Sequence, residues 1–370
     1  MTSSVVPFLD LGSIHHELRS ELIEEWSLLI DSGAFTNGPQ VAQFEQAFAD
    51  YCGTRYCVGL ASGLDALRLG LLAAGLEKGD EAIVPANTFV ATFEAVTQAG
   101  GKPIVADVTE SDYNLDPEAA REAVTSRTRF LLPVHVYGQM ADMQALVEVA
   151  ATLGLSIIED ACQTHGAKRD GLRAGAAGLA GAFSFYPAKN LGAMGDAGAL
   201  VTDDEELANR MRALREHGQI SKYEHAVEGY TARLDTIQAI VLLHKLPLLD
   251  EWNAQRRAAA AFYLEALGGV GDLRLPQVAP GSSHVWHLFV IRTGDPESLA
   301  DFLAERRVAT GRHYPKPPHL TAAYAWLGCR EGEFPVAEAV SRESLSLPIF
   351  PGITRTQLET VVEAVADYFA

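Results

Sequence analysis

Several familiar signatures are missing from this 370-residue sequence. It has four cysteines, Cys52, Cys57, Cys162 and Cys329, and no C-x-x-C pair. That argues against a disulfide scaffold or a cysteine zinc site and for thiols kept in a reducing compartment. No G-x-x-x-x-G-K-[ST], H-E-x-x-H or EF-hand loop occurs, so P-loop, zinc-protease and calcium-sensor readings fall away. The glycine-rich "GAMGDAG" lacks the G-x-G-x-x-G spacing of a dinucleotide turn. Apolar stretches such as "LRLGLLAAGL" are too short and interrupted to span a bilayer. The opening "MTSSVVPFLDLGSIHHE" has no basic segment leading into an apolar run, and a cytoplasmic, soluble protein is expected. Cation excess is absent too, the net charge being -19. Such a surface repels nucleic acid and anionic membranes, and an anionic ligand would need local positive groups.

What is present is a core-building alternation. Hydrophobic residues make up 48% of the chain, enough for two or three domains. From about residue 55 to 203, strand-like runs ("YCVGL", "EAIVP", "KPIVAD", "FLLPVHV", "LSIIED", "AFSFY", "GALVTD") alternate with helical spacing. In "GLDALRLGLLAAGL", Leu64, Leu67, Leu71 and Ala74 share a face. This predicts an α/β fold with a mostly parallel sheet covered on both faces. After about Tyr230 a long helix interrupted near Pro247 leads into strand-like "VWHLFVIR" and helical "PESLADFLAERRV" and "TRTQLETVVEAVADYF". The expected division is 1–245 for a large domain and 246–370 for a smaller one. His284 and His287 form H-x-x-H on that strand-like run, where they would face opposite ways, which argues against metal binding.

Four places carry candidate chemistry. Lys189 stands in "FSFYPAKNLGAMGDAG", between an apolar strand and a glycine-rich turn. A desolvated lysine loses its proton and becomes nucleophilic; a stem packed on aromatics is the plain alternative. Asp160 ends the buried run "LSIIED", at the edge where open α/β sheets gather ligands. It could pair with the ring nitrogen of pyridoxal phosphate or cap a helix. Gln163 follows closely, and His165 reads as a satisfied polar residue. Ser62, Gly63 and Leu64 open a helix whose free N–H groups suit a phosphate, with the Ser184 hydroxyl available nearby. Phe89 in "VPANTFVATFEAV" could stack on a flat ring or belong to the core.

Taken in order, "FTNGPQVAQFE", "ASGLDAL", "VPANTFVAT", "VHVYGQMADM", "IIEDACQTHGA", "FSFYPAKNLGAMGDAGAL", "GYTARLDTIQA" and "HYPKPPHLTAAY" resemble the DegT/DnrJ/EryC/StrS sugar aminotransferases. The resemblance runs from Phe35 to the C-terminus. It implies a fold type I enzyme dependent on pyridoxal 5'-phosphate. Lys189 matches the lysine that carries the cofactor as a Schiff base and then moves a proton, and Asp160 matches the acid at the ring nitrogen. Gln163 matches the residue beside the ring oxygen, Phe89 the aromatic on the ring face, and Ser62, Gly63, Leu64 and Ser184 the phosphate ligands. Related proteins with histidine at the lysine position dehydrate instead; Lys189 argues against that. The family works as a homodimer with shared sites. In many members the partner supplies a phosphate-binding Asn from "GYN-x-R"; here Thr231 stands in its place, and Ala197 replaces a usual Gly.

The resemblance further implies transfer of an amino group, from a donor such as L-glutamate, to a nucleotide-linked keto-deoxysugar, with thymidine diphosphate and C3 favoured. Such enzymes serve deoxyamino-sugar and antibiotic biosynthesis. His313, Tyr314, Arg233, Arg312 and Lys316 are the candidates for the sugar and its diphosphate. An aminocyclitol transaminase acting on a keto-inositol, or a non-catalytic regulator on the same fold, are the alternatives.

Overall fold

The computed structural model describes residues 5–370. Seven strands form the main sheet: β1 (Tyr56–Leu60), β2 (Glu81–Pro85), β3 (Lys102–Ala106), β4 (Thr128–Leu131), β5 (Ser156–Asp160), β6 (Ala180–Ser184) and β7 (Gly198–Thr202). Their order across the sheet is β1-β7-β6-β5-β4-β2-β3. β7 runs antiparallel to both neighbours, and the remaining pairs are parallel. Each run predicted from the sequence is a strand, with ends displaced by a few residues.

Apolar side chains alternate between two buried faces. Ile83, Leu131, Ile157, Phe183 and Val201 enter the core on one side. Their chain neighbours Val84, Leu132, Ile158, Ala182 and Leu200 enter the core on the other. A strand buried on both faces has no polar alternation, which is why these segments read as continuous apolar runs. Each large apolar side chain so buried contributes about 1.5–3 kcal/mol.

The helices that come next after β1 and β2 carry the loops of the sheet's carboxyl edge back into regular structure. Helix α1 (Gly63–Ala73) starts at Ser62, whose side chain accepts from the Asp65 N–H at 3.0 Å. Helix α2 (Val90–Gln98) starts at Phe89. The long helical segment breaks where Pro247 demands it, giving helices at Thr236–Lys245 and Leu249–Ala266 with one 3-10 turn between.

A separate core lies beyond. β8 (Phe289–Arg292) pairs antiparallel with β9 (Ser344–Leu347). Helices Leu249–Ala266, Pro296–Glu305 and Arg355–Tyr368 pack around them through Tyr263, Leu299, Leu303, Val361 and Val365. The last helix carries a full capping box at Thr354 and Gln357. Val6 joins this same core and bridges to Val308, so the start of the described chain packs with its end. The run "VWHLFVIR" becomes strand only from Phe289, so His284 and His287 sit in irregular chain ahead of it.

Candidate active site

The carboxyl ends of β1, β2, β5 and β6 open on one edge of the sheet, and the loops leaving them line a cleft of about 390 Å³. Antiparallel β7 begins at that edge. Its first residue, Gly198, lies so close to the Ser62 backbone that an added Cβ would stand 2.3 Å from it. A glycine is therefore required there, and it presses the Ser62–Gly63 turn into place.

That turn is the start of α1. Its N-terminal N–H groups have no partner within the helix and point along the positive end of the dipole. Gly63 also has no room for a side chain, because a Cβ would meet Ser184 at 2.7 Å and Cys162 at 2.8 Å. Leu64 and Ser184 line the same end of the cleft. Backbone donors, a helix terminus and a serine hydroxyl make an anion cradle.

Asp160 closes β5 and is 6% exposed. Its Oδ2 accepts from the Thr92 hydroxyl at 2.8 Å and its Oδ1 from the Cys162 N–H at 3.2 Å. No helix follows it, so the capping alternative lapses. Gln163 is locked at both ends of its amide: Oε1 accepts from the Tyr137 N–H at 2.7 Å, and Nε2 donates to the Tyr314 hydroxyl at 3.2 Å. Tyr137 holds this pose with φ at 59°, a left-handed conformation that costs a non-glycine residue of order 1–3 kcal/mol. Its own hydroxyl donates to the His313 carbonyl.

Lys189 lies on the loop after β6, its N–H donating to the Tyr186 carbonyl at 2.8 Å. Burial lowers the proton affinity of its amine, against the opposing pull of Cys162 and Asp160. It lines the cleft with Asp160, Gln163 and Phe89. Phe89 is half exposed and stands 5.3 Å, centroid to centroid, from the Tyr314 ring, which rules out a place in the core. The far end of the lysine loop is anchored by a second amine: buried Lys245 donates to the Gly192 carbonyl and to His15 Nε2, each at 2.6 Å.

The structure thus brings together Ser62, Gly63, Leu64, Phe89, Asp160, Gln163, Ser184, Lys189, His313 and Tyr314. It leaves four other candidates outside the cleft. Thr231 is exposed, its hydroxyl 3.2 Å from the His217 ring. Arg233 is paired with Glu216 at 2.8 Å. Arg312 donates to the carbonyls of Ser341 and Arg342. Lys316 is exposed.

Tyr186 and His287 also line the cleft, and nothing in their local sequence marks them as site residues. His287 stands out in the sequence only as half of the H-x-x-H pair; its ring is instead 3.2 Å from the Asn190 side chain. No cluster of metal-ligating side chains occurs among the described residues. His165 departs from expectation as well. Both its ring nitrogens are buried without a hydrogen-bond partner, between Phe183 and Phe185, and burial followed by the Lys189 charge lowers its pKa to about 3.

A model of the DegT/DnrJ/EryC1/StrS aminotransferase family matches residues 16–366. The chain belongs to that family. It is 47% identical over 363 residues to the Streptomyces venezuelae dTDP-3-amino-3,4,6-trideoxy-alpha-D-glucose transaminase, covering 98% of this chain and 96% of that one. It is 43% identical to the Aneurinibacillus thermoaerophilus dTDP-3-amino-3,6-dideoxy-alpha-D-galactopyranose transaminase, covering 98% of this chain and 99% of that one. The crystal structure of S. venezuelae DesV in complex with ketimine intermediate superposes with a TM-score of 0.96 at 47% identity, over 98% of each chain.

Aminotransferases of this family depend on pyridoxal 5'-phosphate, and the cleft fits that group by its donor set. The anion cradle at α1, the buried carboxylate of Asp160 and the proton-poor amine of Lys189 match a phosphate, a basic ring nitrogen and an aldehyde in turn.

Proposed function

We propose that this aminotransferase moves an amino group from an amino acid donor, L-glutamate, to C3 of a dTDP-linked keto-deoxysugar, in deoxyamino-sugar and antibiotic biosynthesis. The observation that carries the proposal is the convergence of Lys189, Asp160 and the α1 N-terminus on one cleft. The names of the two relatives, both 3-amino-sugar transaminases, favour the nucleotide sugar and the C3 position.

When bound, pyridoxal 5'-phosphate supplies an electron sink for the charge left at the donor carbon. This chain's own residues would hold the cofactor and move the proton. The α1 N–H groups and Ser184 hold the phosphate. Asp160 holds the ring nitrogen, Gln163 reaches the ring oxygen and Phe89 covers a ring face. Lys189 Nζ would be the anchoring nucleophile and then the base that takes a proton from the donor carbon and delivers it to the carbon that carried the cofactor's aldehyde. His313 and Tyr314 face the sugar.

The diphosphate needs cations that the cleft of one chain lacks. Glu94 and Asp196 line it beside Asp160, with Lys189 the one lysine or arginine on its wall among the described residues. Exposed Lys316 and a second copy of the chain would make up the deficit. A homodimer is part of the proposal, with Thr231 and Arg233 delivered to the neighbouring cleft. The exposed apolar side chains of the 219–227 hairpin, Ile220, Tyr223 and Val227, support such a contact. The small domain is taken to begin after Lys245, although Leu246 and Leu249 still pack in the large core and the C-terminal core draws on the Leu249–Ala266 helix from Ala259 onward. A cytoplasmic location fits the four free thiols.

The test is incubation with L-glutamate and a panel of dTDP 3-keto-sugars, dTDP 4-keto-sugars and free keto-cyclitols, products read by mass spectrometry and NMR. Nitrogen is expected at C3 of the nucleotide sugar. Turnover confined to the cyclitols would replace the proposal with the aminocyclitol reading, and no turnover on any acceptor would favour a regulator.

A further inference from the structure

Asp160 has two carboxylate oxygens, and the protein engages each differently. The Cys162 N–H on Oδ1 comes from the turn that Asp160 itself begins. The Thr92 hydroxyl on Oδ2 comes from another strand–helix unit, 68 residues away in sequence. Thr92 is fully buried in the first turn of α2. Its hydroxyl is also 2.8 Å from that of Thr88, itself 2% exposed and on the cleft wall.

The direction of this chain of hydroxyls is fixed by proton counting. An ionised carboxylate only accepts, and a hydroxyl has one proton to give. Thr92 gives its proton to Asp160, so Thr88 must donate to Thr92. Packing does not require this arrangement, since valine has nearly the same shape and no hydroxyl to desolvate. Two adjacent buried hydroxyls ending on the acid of the site therefore call for a role of their own. Hydrogen bonds to a carboxylate favour its charged form, and each member of a chain polarises the next.

We propose that Thr88 and Thr92 form a two-hydroxyl relay that fixes the Asp160 carboxylate in rotamer, making Thr92 a positioning residue for the acid at the cofactor ring nitrogen. The inference rests on the reading that Asp160 holds that nitrogen.

The experiment uses holoenzyme loaded with ring-¹⁵N pyridoxal 5'-phosphate, in wild type and in T92V, T92S, T88V and D160N. It reads the ring-nitrogen resonance, the cofactor dissociation constant and the melting temperature. T92V is expected to move the resonance toward the unprotonated value and to weaken cofactor binding about tenfold, the scale of a hydrogen bond to a charged group. T92S restores both, and T88V moves both the same way by a smaller factor. A T92V enzyme that melts lower with its resonance and affinity unchanged would make Thr92 a packing residue and overturn the relay. Should T92V fail to fold, T88V decides in its place: an unmoved resonance there overturns the proposal. D160N separates the two levels. If it leaves the resonance where it was, the assignment of Asp160 itself fails, and the relay with it.

Discussion

Two of the parts of the molecule that hold candidate site residues fold to opposite conditions. At the carboxyl edge of the main sheet, Ser62, Asp160, Gln163 and Lys189 line one cleft, and the side chains of Ser62, Asp160 and Gln163 are bonded within the chain. Along the 217–233 segment, Thr231 is exposed, Arg233 is spent on Glu216, and Tyr223 is 82% exposed. Strand ends are positioned by the sheet that they belong to. A hairpin standing off the surface takes its position from whatever covers it. The first region is finished by folding; under the proposed homodimer, the second is finished by association.

The largest expected effect sits wholly in the first region. Lys189→Ala should lower amino transfer by about a thousandfold or more, since nucleophile and proton carrier go together; steady-state kinetics on the dTDP sugar checks it. Activity within tenfold of wild type would mean that another amine serves.

Acid should attack the same region. Burial lowers the pKa of His165 and His284 to about 3, and burial followed by the Lys189 charge lowers that of His313 to about 4. The unfolded chain takes up these protons near pH 6.5 and the folded one only near 3–4, so stability falls as pH drops through that window. Each group contributes about 1.4 kcal/mol per pH unit within it. Urea midpoints measured from pH 7 to pH 4 should fall steadily, and a flat profile would show that the rings accept protons in place.

Smaller effects probe the second region. Thr231→Ala should weaken cofactor binding about fivefold to tenfold, the worth of one hydrogen bond to phosphate. In mixed dimers with Lys189→Ala, one intact cleft should then form only when its Thr231 comes from the other chain. Smallest, and outside both regions, is Lys316→Ala, expected to raise KM for the nucleotide sugar by about fivefold or less, and less again at high salt.

Legibility in the sequence followed the same division. All seven sheet strands were readable because apolar runs bounded by Gly, Pro or Asp leave few alternatives. Asp160 drew notice because it ends an apolar run at a strand end, and Lys189 because it follows one between aromatics and a glycine-rich turn; the roles expected of them came from the family resemblance. β9, Ser344–Leu347, carries no such signal: it is four residues long with two serines, and only pairing with β8 makes it a strand. Val6 in the C-terminal core, Thr92 on Asp160 and His287 on the cleft wall all depend on contacts between distant segments, which local spacing does not encode.

Everything turns on Lys189 Nζ being the group that holds the cofactor. Borohydride treatment of the yellow holoenzyme, followed by mass-spectrometric mapping of its tryptic peptides, decides it. One pyridoxyl-phosphate adduct per chain is expected, on Lys189. An adduct on Lys245 or any other lysine, or none at all, would contradict that assignment.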